Sequence, residues 1–156
     1  MSADESNKME DWAKGVPLAA GDWGFGIWQP SPEAAEYWEG VARNELLLKF
    51  CPHCKRHLHP KRIVCPDCQT IDLTWQASKG RGKVYSFSEI HRAPSDVFQT
   101  SSPYTVGMVQ LDEGVTLFTR FFGPPGSIKI DAPATVDYRV LEMGQKMPIF
   151  MVGSKS

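Results

Sequence analysis

The chain has 156 residues, a formal net charge of −1 and 42% hydrophobic residues, which is enough for one ordinary domain with a small appendage. It has no apolar run of about eighteen residues, which excludes a membrane-spanning helix. Its first residues, MSADESNKMED, are polar and acidic, unlike the basic start and apolar centre of a signal peptide, and they predict a cytoplasmic protein.

The charge is distributed unevenly along the chain. Residues 1–50 contain four Lys/Arg against nine Asp/Glu, whereas residues 51–92 contain eight Lys/Arg against three Asp/Glu. A basic middle suits a phosphate-bearing ligand or an acidic partner. It could equally offset the negative charge of a thiolate–metal centre, and the pattern favours neither interpretation.

Residues 1–30 predict a tail followed by an aromatic arm. Trp12, Trp23, Phe25 and Trp28 lie among glycines and prolines with no helical or strand period. Large aromatic side chains on an irregular arm need a surface that covers them. That surface is either the chain's own domain or a partner protein, and the small size of the chain favours the partner.

Residues 31–50 predict a helical segment. Ser31 can cap the helix, with Pro32 at the first helical position. We expect the helix to run to residue 49 and to pack one face against the core. That face contains Trp38, Val41, Ala42 and Leu46.

Residues 51–75 predict a zinc ribbon. The four cysteines of the chain form two CxxC pairs with ten residues between them: Cys51, Cys54, Cys65 and Cys68. A proline follows the first cysteine of each pair and favours the tight turn that aims both sulfurs at one ion. A closed shell of four thiolates has no open coordination position, so we expect structural Zn²⁺.

The same cysteines admit other interpretations. Iron in a rubredoxin-type site would use the same ligands and would make an electron carrier. Disulfides are disfavoured in a cytosolic chain without an export signal, and a thioredoxin-like CxxC needs a βαβ unit, which the sequence does not predict. Four thiolates complete the shell, so His53, His57 and His59 are predicted to be solvated surface residues. Lys55 and Gln69 stand where many ribbon knuckles have glycine, and they predict a strained φ.

Residues 76–156 predict a small OB-fold barrel. Strands are predicted at 84–91, 104–111, 115–122, 127–131, 134–141 and 147–152. The tight turn Asp112-Glu113-Gly114 joins the second strand to the third. No helix is long enough for a βαβ crossover, so the fold class is mainly β with an N-terminal helix: a four-cysteine zinc ribbon followed by a barrel.

The first barrel strand alternates in polarity. This pattern places Tyr85, Phe87 and Glu89 on one side and Val84, Ser86 and Ile90 on the other.

The sequence predicts no catalytic residue. With all thiols committed to metal there is no free cysteine nucleophile, and there is no GxSxG, HExxH or P-loop motif. His91 could act as a general base, yet it has no identifiable partner in the sequence. The glycines of Gly80-Arg81-Gly82 predict a bend into the first strand. Cofactor-binding residues are not identifiable.

The order of these motifs is itself informative. FCPHC, CPDC, GRGKVYSFSEIHRAP, PYTVGMVQLDEG and MPIFM follow one another within residues 31–152. This order resembles the DUF35 family of acyl-CoA-associated proteins. The resemblance implies a rubredoxin-like zinc ribbon joined to an OB-fold.

The resemblance also implies a role. Family members are small partner subunits of thiolase-like or hydratase-like enzymes that act on acyl-CoA thioesters. For this chain the resemblance implies a hetero-oligomer with a thiolase-family catalytic subunit, which would bind most of the CoA thioester substrate. This chain would be a non-catalytic subunit needed for assembly and activity in CoA-dependent Claisen cleavage. The implied substrate is benzoylsuccinyl-CoA, cleaved to benzoyl-CoA and succinyl-CoA in anaerobic toluene degradation.

A nucleic-acid-binding module is the alternative. Zinc ribbons and OB barrels both occur in such proteins, and the basic middle with Tyr85 and Phe87 could track a backbone and stack bases. The sequence pI of about 6.4 and the acidic N-terminal third disfavour it.

Overall fold

The computed structural model describes residues 31–93, 98, 102–140 and 146–153. The tail and aromatic arm predicted at 1–30 lie outside these residues. The described elements are a 3-10 helix at Pro32–Ala34, α1 at Ala35–Ala42, β1 at Leu47–Cys51, β2 at Arg56–Leu58, β3 at Thr74–Ala77, β4 at Arg81–Ile90, β5 at Tyr104–Leu111, β6 at Thr116–Phe122, β7 at Pro133–Val140 and β8 at Lys146–Val152.

Helix α1 is shorter than predicted. Asn44 adopts a φ of 62°, the left-handed conformation that often follows the end of a helix. The Asn44 N–H donates to the Val41 carbonyl at 3.0 Å, and the Glu45 N–H donates to the Gly40 carbonyl at 2.8 Å. The prediction of a helix to residue 49 is wrong, because this turn ends the helix and the leucines that follow form a strand.

That strand, β1, is the centre of a three-stranded antiparallel sheet. On one side it pairs with β2, where Cys51 lies opposite Arg56. On the other side it pairs with β3, where Leu47 lies opposite Ala77. The first CxxC pair therefore begins at the end of a strand that is held on both sides.

Strands β4 to β8 form a closed barrel in the order β4-β5-β6-β8-β7. Strands β6 and β8 pair in parallel, with Phe121 opposite Phe150, and the other pairs are antiparallel. The barrel closes where β7 returns to β4, with Ala134 opposite Gly82. This five-stranded, OB-like barrel confirms the predicted fold class.

The strand predicted at 127–131 is wrong. The Ser127 N–H donates to the Pro124 carbonyl at 3.0 Å, and Asp131 has a φ of 65°. Two turns therefore occupy this stretch, and the chain crosses from β6 to β7 as a loop.

The alternation predicted along β4 is also wrong. Val84 is fully buried opposite Val109, and the register then shifts, so that Ser86 lies opposite Met108. The extra residue is Tyr85, which forms a β-bulge. Val84 and Ser86 therefore lie on opposite faces of the barrel wall, although the sequence pattern places them on the same face.

One hydrophobic core joins the ribbon sheet to the barrel. Leu46 and Leu48, before and within β1, are buried in the same cluster as the inward residues of the barrel, and Tyr37 of α1 packs against it. The barrel members are Val84, Val109, Leu111, Val115, Leu117, Phe121, Ala134, Phe150 and Val152.

Polar contacts add to this connection. The Ser78 N–H, after β3, donates to the Leu46 carbonyl at 2.7 Å. Glu113, in the β5–β6 turn, accepts the Lys79 N–H at 2.8 Å. Burial raises the pKa of the Glu113 carboxyl, but the hydrogen bond from the Lys79 N–H and those from further donors lower it by more. The pKa of Glu113 therefore lies below its ordinary value. The barrel turn thus holds the linker that enters from the ribbon.

We expect Gly107→Ala to lower the free energy of unfolding by about 3 kcal/mol, because overpacking against backbone cannot relax without separating strands. A Cβ at Gly107 would lie 2.0 Å from the Ser86 carbonyl oxygen and 2.7 Å from the Phe87 Cα. Urea unfolding of the zinc-loaded protein measures the change.

Gly126→Ala is the control for this substitution. Gly126 has a φ of 76° and open space at its Cβ position, so it tests backbone strain without a steric clash. We expect it to cost about 1 kcal/mol. Equal losses at both sites would contradict the close approach of β4 and β5.

Candidate metal centre

The four cysteines converge on one point of the ribbon. Cys51 is the last residue of β1, and Cys54 lies in the turn to β2. Cys65 and Cys68 lie in the loop between β2 and β3. Their Sγ atoms all lie within 4.8 Å of one another.

The sulfur separations suit a tetrahedral ion. The Sγ atoms of Cys51 and Cys68 are 3.6 Å apart, and those of Cys54 and Cys65 are 3.8 Å apart. Four sulfurs at a Zn–S distance of about 2.3 Å form a tetrahedron with edges of about 3.8 Å. The thiols therefore fit one Zn²⁺ ion, and four sulfurs would fill its coordination shell.

Each knuckle requires a left-handed residue after its second cysteine. Lys55 has a φ of 52° and Gln69 a φ of 59°, which confirms the strained φ expected at both positions. A backbone N–H of the first knuckle also faces a sulfur. The Cys54 N–H donates to the Cys51 sulfur at 3.4 Å.

The thiols of the cluster do not ionise equally. The backbone N–H groups of Cys68 and Asp67 hold the pKa of the Cys65 thiol at about 7, although burial opposes them. A hydrogen bond with the Cys68 sulfur, together with burial, raises the pKa of the Cys54 thiol to about 12. A bound divalent cation would remove this difference between the thiols, because it would bind all four groups as thiolates and release their protons.

The surroundings of the cluster are partly apolar. Cys51 and Cys65 are fully buried and pack with Leu58, and Leu73 covers them. An ion pair between Arg56 and Asp67 links the end of the first knuckle to the second. Two of the four sulfurs therefore lie in an apolar environment, whereas Cys68 is exposed.

The histidines near the cysteines have other partners. His57 contacts the Gln76 side chain at 3.1 Å, and the His59 Nδ1 accepts the Lys61 N–H at 3.2 Å. Burial, and then the charges of Lys61 and Arg62, lower the pKa of His59. Within the described part of the chain, the four cysteines form the one group of three or more potential ligands that could hold a metal.

His91, the candidate general base, lies on the surface with three quarters of its side chain exposed, and its Nε2 is 3.6 Å from a Glu89 carboxylate oxygen.

Gly80 has a φ of 66° and its carbonyl accepts the Val136 N–H at 2.7 Å, which confirms the predicted bend.

Within the described ranges no helix has the length and apolar character needed to span a bilayer.

Two stretches of the chain match known domain families. Residues 38–70 match the family described as "ChsH2, rubredoxin-like zinc ribbon domain". Residues 75–139 match "ChsH2, C-terminal OB-fold domain". The two ranges together cover more than half of the chain.

The chain is similar to proteins of several organisms. It is 31% identical over 117 residues to a "DUF35 domain-containing scaffold protein" of Methanothermobacter thermautotrophicus, covering 72% of this chain and 87% of that protein. It is 32% identical over 117 residues to a "Probable enoyl-CoA hydratase alpha subunit" of Thermomonospora curvata, covering 74% of this chain but only 36% of that protein. Over 81 residues it is 31% identical to "Benzoylsuccinyl-CoA thiolase subunit BbsA" of Thauera aromatica, covering 52% of this chain and 54% of that protein.

The fold is also similar to that of solved structures. The chain superposes on a chain of the "Ltp2-ChsH2(DUF35) aldolase" with a TM-score of 0.71 and 29% identity, covering 81% of this chain and all of that one. It shares its fold with a DUF35 protein of Sulfolobus solfataricus, with a TM-score of 0.57 and 17% identity.

We expect the purified protein to hold one zinc ion per chain and Cys51→Ser to lose it, because a neutral hydroxyl replaces a buried thiolate. Elemental analysis by mass spectrometry measures the metal. His53→Ala, in the same turn but outside the thiol cluster, is the control and should keep its zinc. Stoichiometric iron, or zinc retained by the serine variant, would contradict the assignment.

We expect Lys55→Val to release zinc to a chelator about tenfold faster than the wild type, because a β-branched residue resists the left-handed conformation. Lys55→Gly should hold its zinc at least as well as the wild type, since glycine adopts that φ without strain. Lys61→Val, on the same ribbon, controls for the loss of a positive charge. Equal release rates for the two Lys55 variants would show that the φ is not needed for the centre.

Proposed function

The chain belongs to the DUF35 family, and on this premise we propose that it is the non-catalytic subunit of a thiolase-type acyl-CoA enzyme. Three relatives support an association with acyl-CoA enzymes, because their names describe a hydratase alpha subunit, a thiolase subunit and a component of an aldolase. The observation that carries the proposal is the placement of all four cysteines in one closed cluster. A protein that commits every thiol to a metal has no cysteine left to attack a thioester.

The remaining candidate groups support the same division of labour. Among the described residues, His91 is exposed at a strand end with its ring beside Glu89, and the Ser102 hydroxyl donates to the His91 backbone carbonyl at 2.8 Å, not to its ring. A nucleophile, a general base within hydrogen-bond reach and an oxyanion hole are the minimum for acyl transfer. We therefore assign these groups, and most of the contacts to the CoA thioester, to a thiolase-family partner.

The proposed reaction is a CoA-dependent Claisen cleavage. The active-site cysteine thiolate of the partner attacks the keto carbonyl of benzoylsuccinyl-CoA, and the carbon–carbon bond breaks. The benzoyl group stays on that cysteine as a thioester, and the released carbanion takes a proton to give succinyl-CoA. The thiolate of free CoA then attacks the benzoyl thioester, which releases benzoyl-CoA and restores the cysteine thiolate. In this scheme the chain supports assembly and activity without touching the reacting atoms.

The metal has a structural role in this proposal. We propose Cys51, Cys54, Cys65 and Cys68 as the ligands of one Zn²⁺ ion. With the ion bound, the two knuckles and β1 form one rigid unit, and β1 is packed against the barrel through Leu48. The zinc ribbon would thus set the position of the partner-binding surfaces.

We expect thiolysis only from the complex. The chain should co-purify in stoichiometric yield with a thiolase-family subunit from its native host, because it lacks catalytic groups of its own. The chain alone, the partner alone and the complex are each assayed with benzoylsuccinyl-CoA and CoA, with benzoyl-CoA and succinyl-CoA as the measured products. An enoyl-CoA without free CoA is the parallel substrate for a hydratase partner.

Each outcome of this assay has a defined meaning. Thiolysis by the isolated chain would overturn the non-catalytic role. A complex that hydrates the enoyl-CoA but does not cleave the thiolase substrate would replace the thiolase-type partner with a hydratase. Nucleic acid retained at moderate salt, in place of an enzyme, would support the nucleic-acid-binding alternative.

A further inference from the structure

An exposed apolar stripe crosses the outer wall of the barrel. We call it the barrel stripe and define it by Phe118 on β6, Met108 on β5, Tyr85 on β4 and Ile130 in the β6–β7 loop. The side chains of Phe118, Tyr85 and Ile130 are 71%, 58% and 57% exposed.

The strand pairing makes this stripe continuous. Met108 lies directly opposite Phe118 on one side and opposite Ser86 on the other, next to Tyr85. The neighbours of Met108 and Phe118 along their strands are buried, so these two side chains face outward. The Asp131 N–H donates to the Val84 carbonyl at 2.8 Å, which places Ile130 beside the bulge at Tyr85.

The surroundings of the stripe favour a protein partner over nucleic acid. Lys83 pairs with Asp131 at 3.1 Å, and the Arg120 guanidinium lies 4.6 Å from the ring centre of Tyr104. Lys129 directly precedes Ile130 in the chain. A nucleic-acid groove needs several cations along the backbone path, whereas an apolar strip with charged residues at its edge suits a protein interface with an apolar centre and a polar rim.

The area of the stripe favours a larger partner over a second copy. Its exposed side chains offer on the order of 350 Å², comparable to the largest apolar patch of a typical monomer, which is often functional. Two copies placed stripe to stripe would bury about 700 Å² in total, less than a stable specific interface needs. A larger enzyme subunit can cover the stripe and its polar rim together.

We infer that the barrel stripe is the surface on which the acyl-CoA enzyme subunit docks. This inference rests on the proposed function, which supplies the partner. Two members of the stripe, Met108 and Phe118, lie on the second and third strands of the barrel, the strands whose face OB folds commonly use for ligands. Phe118 and Tyr85 are the expected anchors, since exposed aromatic residues at the centre of an interface contribute most of its binding energy.

The direct test places a photo-crosslinking amino acid at position 118 of the full-length, zinc-loaded chain. Irradiation of the complex should attach the enzyme subunit at this position. The same amino acid at Ile63, which is 64% exposed on the ribbon, is the control for non-specific attachment and should yield little product. Attachment to a second copy of the chain, to nucleic acid, or to nothing would overturn the inference.

A second measurement compares affinities of paired variants. The double variant Tyr85→Ser/Phe118→Ser should bind the enzyme subunit about thirtyfold more weakly, as expected for interface anchors. Ile63→Ser/Ile71→Ser, which removes two exposed aliphatic side chains from the ribbon, should bind within threefold of the wild type, about 0.65 kcal/mol. Zinc content and urea unfolding confirm that both variants fold.

The outcomes separate the two proposals. If the wild type binds the enzyme subunit and the Tyr85/Phe118 variant binds it equally well, the docking surface is wrong and the proposed function stands. If the wild type binds no acyl-CoA enzyme, the proposed function fails and the docking surface fails with it.

Discussion

Strand β1 is subject to two packing constraints within five residues. Leu48 is fully buried in the core shared with the barrel, and Cys51, three residues later, is fully buried in the cysteine cluster. Because β1 is paired on both sides, its register cannot shift at Cys51 without also moving Leu48 out of the core. The candidate metal centre and the barrel are therefore connected through one rigid element.

This connection explains how a structural metal could matter for a surface far from it. The Ser78 N–H bonds the Leu46 carbonyl, and Glu113 holds the Lys79 N–H, so the linker between ribbon and barrel is tied at both ends. The outward residues of the barrel then keep a defined direction relative to the ribbon. In the proposed role as an assembly subunit, such rigidity would reduce the conformational entropy lost on binding.

Much of the fold could be predicted from local patterns. The two CxxC pairs, the helix start at Pro32 and the turn at Glu113 each depend on residues close together in sequence. The strained φ at Lys55 and Gln69 could also be predicted, because the knuckle turn requires it of whichever residue follows the second cysteine. The helix end was missed, since Leu46 continues the i, i+3, i+4, i+8 spacing that begins at Trp38, and only the paired strands show that the chain is extended from Leu47.

The sequence by itself determined the two CxxC pairs of the candidate metal centre, the order of ribbon and barrel and the absence of a recognisable catalytic motif, because these depend on residue chemistry and spacing. The tertiary structure alone decided which aromatic residues are exposed. A bulge at Tyr85 reverses the alternation of β4, and closure of the barrel fixes Met108 and Phe118 on its outer wall. Whether a side chain faces core or solvent depends on strand register, and register is set by pairing between segments distant in the chain.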